Sequence, residues 1–169
     1  MGALCLTARA APLGGSDHHE EPSIPVNTKA IGKSYEPVIY AVGREKVREY
    51  ARAVGETNPL YLDVEAARAA GYADVVAPPM FAVVYSAPAV GPALFDPDVE
   101  LNFAMMVHGG QEFEWGAPVV AGDEITTTAS VKDISERDGR GYYIFQSDSV
   151  NQRGEQVCRA SWTNIVRGV

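Results

Sequence analysis

With 169 residues, 46% of them hydrophobic and 21% charged, the chain has material for one domain with a real core and too little for two full ones. Its formal net charge of −8 opposes binding to a nucleic-acid backbone, and no apolar run approaches the ~20 residues of a bilayer-spanning helix. Cys5 and Cys158 make neither a disulfide framework nor a metal-ligand spacing, so a soluble protein of a reducing cytoplasm, without metal or cofactor, is expected.

Residues 1–30 include Gly14-Gly15-Ser16-Asp17-His18-His19-Glu20-Glu21-Pro22, lack an apolar period and read as a flexible leader. The short apolar stretch from Ala3 to Leu6 has no basic residue before it, unlike a secretory signal, and Leu6 stands where myristoylation after Gly2 wants Ser or Thr. His18-His19 has no further ligand beside it to make a metal site. The folded domain is expected over residues 31–169.

A strand is expected over residues 38–42, and Gly43 breaks it. Val47, Tyr50, Ala51 and Val54 then fall at i, i+3, i+4 and i+7 while Arg44, Glu45, Arg48, Glu49 and Arg52 take the opposite face, which predicts an amphipathic helix closed by Gly55. Asp63 is placed to cap a second short helix over 64–70, with Gly71 after it. Pro79 suits the first turn of a third helix, and residues 80–87 carry almost no charge on any face, so that helix belongs inside. Pro88, Gly91 and Pro92 are expected to end it, leaving 91–104 as a surface loop. The remainder reads as strands over 111–115, 124–136, 141–150 and 156–166, with Asp138-Gly139 and Asn151-Gln152-Arg153-Gly154 as hairpin connections. In the last strand Cys158, Ala160, Trp162, Asn164 and Val166 alternate with residues of the other face. An antiparallel sheet must cover its apolar face, and the helix at 79–87 is the element apolar enough to do so. The expected fold is α+β, a sheet wrapped around a buried helix.

Polar chemistry concentrates between the first and third helices. The run Val54-Gly55-Glu56-Thr57-Asn58-Pro59-Leu60-Tyr61, followed by Ala77-Pro78-Pro79-Met80-Phe81, Gln111-Glu112-Phe113-Glu114-Trp115 and Pro118-Val119-Val120-Ala121-Gly122-Asp123, resembles the MaoC-like hot-dog dehydratases. More narrowly it is similar to their amino-terminal-type, or FAS1-like, dehydratase domain, the kind found in the substrate-binding subunit of two-subunit (3R)-hydroxyacyl-ACP dehydratases. The resemblance runs from about Ile31 to the end. It implies a hot-dog fold, dimers in which two sheets join, and acyl-thioester tunnels at the dimer interface.

Catalytic members of that family carry Gly-Asp-x-Asn-Pro-Leu-His, whose Asp and His orient the water added to, or removed from, an enoyl thioester. Here Glu56 stands at the Asp position and Tyr61 at the His position. An imidazole with pKa near 6.5 is a working base at neutral pH, whereas a phenol near 10 is protonated and weak. Glu56 keeps a carboxylate on a longer arm, and a displacement of about 1 Å can cost ~100-fold when a water must be held in line. The resemblance therefore implies the acyl-binding subunit of a dehydratase, partnered by a MaoC-like chain that carries Asp and His, with acyl-CoA or acyl-ACP as substrate. Two other readings stay open: a self-sufficient homodimeric (R)-specific enoyl-CoA hydratase using Glu56 or His108, and an acyl-thioester binding module without chemistry.

Individual residues carry paired readings. Asn58 before Pro59 is either a turn initiator bonded to its own backbone or a substrate contact. Pro78 and Pro79 either only set a helix start or, as the resemblance implies, open a helix whose N-terminal N–H groups, beginning at Met80, face the thioester carbonyl. His108, in Val107-His108-Gly109-Gly110-Gln111, is either structural or the one conventional base in the folded part. Asp123 is read as holding the turn after Gly122.

Overall fold

A computed structural model describes residues 25–168. Chain order is β1 (Val38–Ala41), α1 (Arg44–Ala53), α2 (Pro59–Leu62), α3 (Val64–Ala69), a 3-10 turn (Pro79–Phe81), α4 (Ala82–Leu94), a second 3-10 turn (Phe103–Met105), β2 (Met106–Trp115), β3 (Glu124–Arg137), β4 (Arg140–Asn151) and β5 (Gln156–Arg167). The strands form one antiparallel sheet in the order β1-β3-β4-β5-β2. Asp138 and Gly139 both take positive φ, 51° and 66°, which is the two-residue hairpin geometry that matches strand twist and joins β3 to β4. The buried face of β5 is Cys158, Ala160, Trp162, Asn164 and Val166, as the alternation predicts.

The sheet curls over α4, which packs against β3 and β4. The helix buries Ala82, Tyr85, Ser86, Ala89, Val90 and Ala93, a single stripe at i, i+3, i+4, i+7, i+8 and i+11. Small residues in that stripe let the sheet come close, and Phe145, Ile125, Ala129 and Val131 fill the space from the strand side.

The structure corrects the expected end of this helix. Pro88 and Pro92 do not stop it; α4 runs on to Leu94 with both inside it. Each proline removes a bond to the carbonyl four residues earlier, on Val84 and Pro88. Both prolines lie on the exposed side, where water can serve those carbonyls, so the buried face continues unbroken. The irregular loop consequently starts at Phe95 instead of residue 91. The edge strand β2 is also longer than the residues 111–115 read from the sequence, because its first half, in which Gly109 and Gly110 obscure the strand pattern, pairs with β5 around a bulge at His108–Gly110. Val54 is 53% exposed, since it caps α1 instead of extending its apolar stripe.

Order begins ahead of residue 31. Ala30 is in the core at 3% exposure, and Asn27 donates to the Asp98 carbonyl and to Glu100. Lys33 bridges Asp96 and Asp98, and the Tyr35 hydroxyl donates to Asp96, so this segment ties down the loop after α4. Gly2, Cys5 and His18-His19 lie outside the described residues. No helix among the described residues is long and apolar enough to cross a membrane.

Candidate functional site

The segment from Gly55 to Phe81 is built by local backbone chemistry. Gly55 closes α1 at φ +76°, and the Glu56 N–H donates to the Ala51 carbonyl. The Asn58 side chain accepts the Leu60 N–H at 3.0 Å and so caps α2, a four-residue helix that the hydrophobic pattern is too short to announce. Asp63 accepts from the N–H groups of Glu65 and Ala66 and caps α3. The Val76 N–H then donates to the Leu60 carbonyl and the Ala77 N–H to the Val119 carbonyl, fastening the segment to the loop before β3. Asp123 holds that loop as read from the sequence: buried, it accepts from the Val120 N–H and from the side chains of Gln152 and Arg153. Finally the Trp115 indole donates to the Pro79 carbonyl at 3.2 Å, fixing the turn that leads into α4.

These elements enclose a cavity of about 520 Å³. Leu60, Tyr61 and Tyr72 form one wall, residues 76–79 and the first turns of α4 another, and Trp115 with residues 116–119 a third. Tyr85 and Val157, each 2% exposed, lie at its buried side. Behind them burial pushes the Cys158 thiol up to about 11 even though a hydrogen bond with Tyr85 acts the other way. Burial also raises the Tyr85 hydroxyl. Both groups are therefore protonated at neutral pH, and Cys158 is not a ready nucleophile. The lining is apolar with a few hydroxyls, a surface suited to an alkyl chain.

Of the residues singled out in the sequence, Tyr61, Pro78 and Pro79 line this cavity, whereas Glu56, Asn58, Met80 and His108 are exposed and do not. Glu56 lies near Tyr50, whose hydroxyl is raised first by burial and then by the Glu56 charge. His108 stands seven residues from Trp115 on β2, about 23 Å at ~3.3 Å per residue, with its ring against the edge of Trp162. The lining residues that escaped the sequence reading include Tyr72, Tyr85, Trp115 and the 116–119 segment. Tyr85 lay within an apolar helix and read as core; Trp115 at the end of a strand just before Gly116 was the available signal.

A five-stranded antiparallel sheet folded over one long helix, with an apolar cleft at that helix's start, defines a hot-dog protein of the MaoC-like dehydratase kind. Residues 29–160 match the family described as FAS1-like, dehydratase domain region, and the chain belongs to that family. A UPF0336 protein of Saccharopolyspora erythraea is 42% identical over 146 residues, covering 86% of this chain and 94% of the relative. A chain of the Mycobacterium tuberculosis HadBC (3R-hydroxyacyl-ACP dehydratase) complex superposes with TM-score 0.73 at 31% identity, over 83% of this chain and 99% of that one. A MaoC-like dehydratase superposes with TM-score 0.74 at 32% identity over 83% of this chain, which spans only 43% of that longer protein.

Proposed function

We propose that this chain is the acyl-binding, non-catalytic subunit of a (3R)-hydroxyacyl-thioester dehydratase, working beside a MaoC-like chain that supplies Asp and His. One observation carries the reading: the apolar cavity is walled by Tyr61 and the turn into α4, while neither Glu56 nor His108 lines it. Adding water to an enoyl thioester needs a base at the β-carbon and a hydrogen-bond donor at the carbonyl. The turn into α4 offers no such donor to the lining: Pro78 and Pro79 carry no N–H, the Phe81 N–H is taken by the Pro78 carbonyl, and Met80 does not line the cavity. A base is not at hand, since Tyr61 stands where the family has His.

Similarity to a chain of a named dehydratase complex, and to less than half of a longer MaoC-like dehydratase, supports a unit that works with a second one. The test is hydration of crotonyl-CoA by the purified full chain, with Glu56→Ala and His108→Ala alongside. The expected result is no turnover above buffer in any of the three. Enzyme-like turnover that either substitution abolishes would instead favour a self-sufficient hydratase.

A further inference from the structure

Three arginines meet at the corner of the sheet farthest from the cavity. The turn at Asp138-Gly139 leaves Arg137 of β3 directly opposite Arg140 of β4, and Arg140 in turn stands directly opposite Arg167 of β5. Side chains directly opposite in a ladder share a face, so the three guanidinium groups form one row across three strands. That face is the outer one: Gly141, Tyr143 and Val166 point inward and are buried, while Arg137 lies over the Tyr142 ring at 5.4 Å. All three arginines are exposed.

Apart from that one stacking contact, the fold makes no use of the row. Among the described residues Arg44, Arg48, Arg68, Arg153 and Arg159 each hold a carboxylate, whereas Arg137, Arg140 and Arg167 make no ion pair. The neighbouring Glu136 stands opposite Gly141 and so leaves from the inner face. Like charges directly opposite one another destabilise a strand pair. Here two such pairs lie side by side, in a chain whose net charge is −8.

Spacing and surroundings select the partner. Adjacent strands lie ~4.8 Å apart, so the row runs about 10 Å. Carboxylates at i, i+4 and i+7 of a helix form one stripe in steps of ~5–6 Å, which fits that length, whereas alternate residues of a strand step by about 6.6 Å. The next outer row, Tyr142 opposite Ile165, is half-buried, and arginine beside tyrosine and aliphatic side chains is the composition of a protein interface. No described helix of this chain carries an acidic stripe: the exposed face of α1 mixes Arg44, Glu45, Arg48, Glu49 and Arg52, and α3 has Glu65 alone. A second copy is therefore a poor occupant. We infer that this corner docks an acidic helix of another protein, laid across β3, β4 and β5 with its carboxylates on Arg137, Arg140 and Arg167. Val157, at the cavity, lies ten residues along β5 from Arg167, about 33 Å at ~3.3 Å per residue, so the inference stands apart from the acyl-binding reading.

Two alanine-rich peptides of about 18 residues and identical composition serve as probes. One carries Glu at i, i+4 and i+7; the other carries Glu at i, i+2 and i+5, which scatters the same carboxylates around the helix, and both keep the same leucines for the Tyr142–Ile165 row. Fluorescence anisotropy of each labelled peptide is read against the full chain. At ~50 mM NaCl the aligned peptide is expected to bind about tenfold more tightly than the scattered one, and to weaken as salt rises to ~500 mM. Arg140→Gln, in the middle of the row, should abolish that preference, while Arg52→Gln on α1 leaves it intact; thermal melts confirm that both variants are folded. Equal affinity for the two peptides, binding of neither, or a preference that survives Arg140→Gln would overturn the inference. So would cosedimentation with vesicles of phosphatidylcholine and phosphatidylserine that Arg140→Gln abolishes, which would assign the row to a lipid surface instead.

Discussion

Phe81 has no exposed surface and meets three aromatic rings, Tyr50 at 5.4 Å, Tyr40 at 6.2 Å and Tyr85 at 6.3 Å between centroids. It pins the turn into α4 to α1 and β1, so Phe81→Ala should cost about 3–5 kcal/mol, a large share of the roughly 5–15 kcal/mol of a typical domain. Urea unfolding measures this, and a loss under ~1 kcal/mol would mean that the site collapses around the gap. At the far end of α4, Lys33 foremost, then the Asp98 N–H and the Tyr35 hydroxyl, hold the Asp96 carboxyl down at about 2 from 3.8. The folded state thus favours the ionised form, and the stabilisation is complete above pH ~4 and lost as pH falls through about 2. Asp96→Asn should lower the melting temperature at pH 7 and flatten its decline between pH ~4 and ~2. An unchanged acid limb would show that this carboxylate contributes nothing to folding. At this scale the sequence was legible where a residue acts on its neighbours, as at Gly55, Asp63 and Asp123. It was silent on Glu56 and His108, whose distance from the cavity depends on how α1 and β2 are placed by the whole sheet.

Among elements, α4 shows most clearly why local rules and tertiary packing part company. Two prolines spaced by four residues read as a stop, yet both sit on the solvent side while the small-residue stripe on the other side stays packed under the sheet. Burial of that stripe outweighs two lost backbone bonds. Pro88→Ala should therefore stabilise the protein, by ~1–3 kcal/mol, by restoring a donor to the Val84 carbonyl and relieving the ring's clash. A thermal melt shifted downward would mean that the proline shapes a bend the sheet requires. The strands β3, β4 and β5 were readable because alternation and two hairpin turns fix them locally. The first half of β2 was not, because Gly109 and Gly110 interrupt any strand pattern begun at Val107 until β5 lies beside them.

For the molecule as a whole, the sheet, the helix and the turn between them make an apolar cavity of about 520 Å³ whose lining includes neither Glu56 nor His108. Mixing the purified chain with a MaoC-like chain that bears the Asp/His dyad, and following crotonyl-CoA hydration against each protein alone, tests this division of labour most directly. Background rates are expected from this chain alone, with a marked gain in turnover on mixing that His108→Ala leaves unaffected. Full turnover from the isolated chain, abolished by Glu56→Ala or His108→Ala, would contradict it.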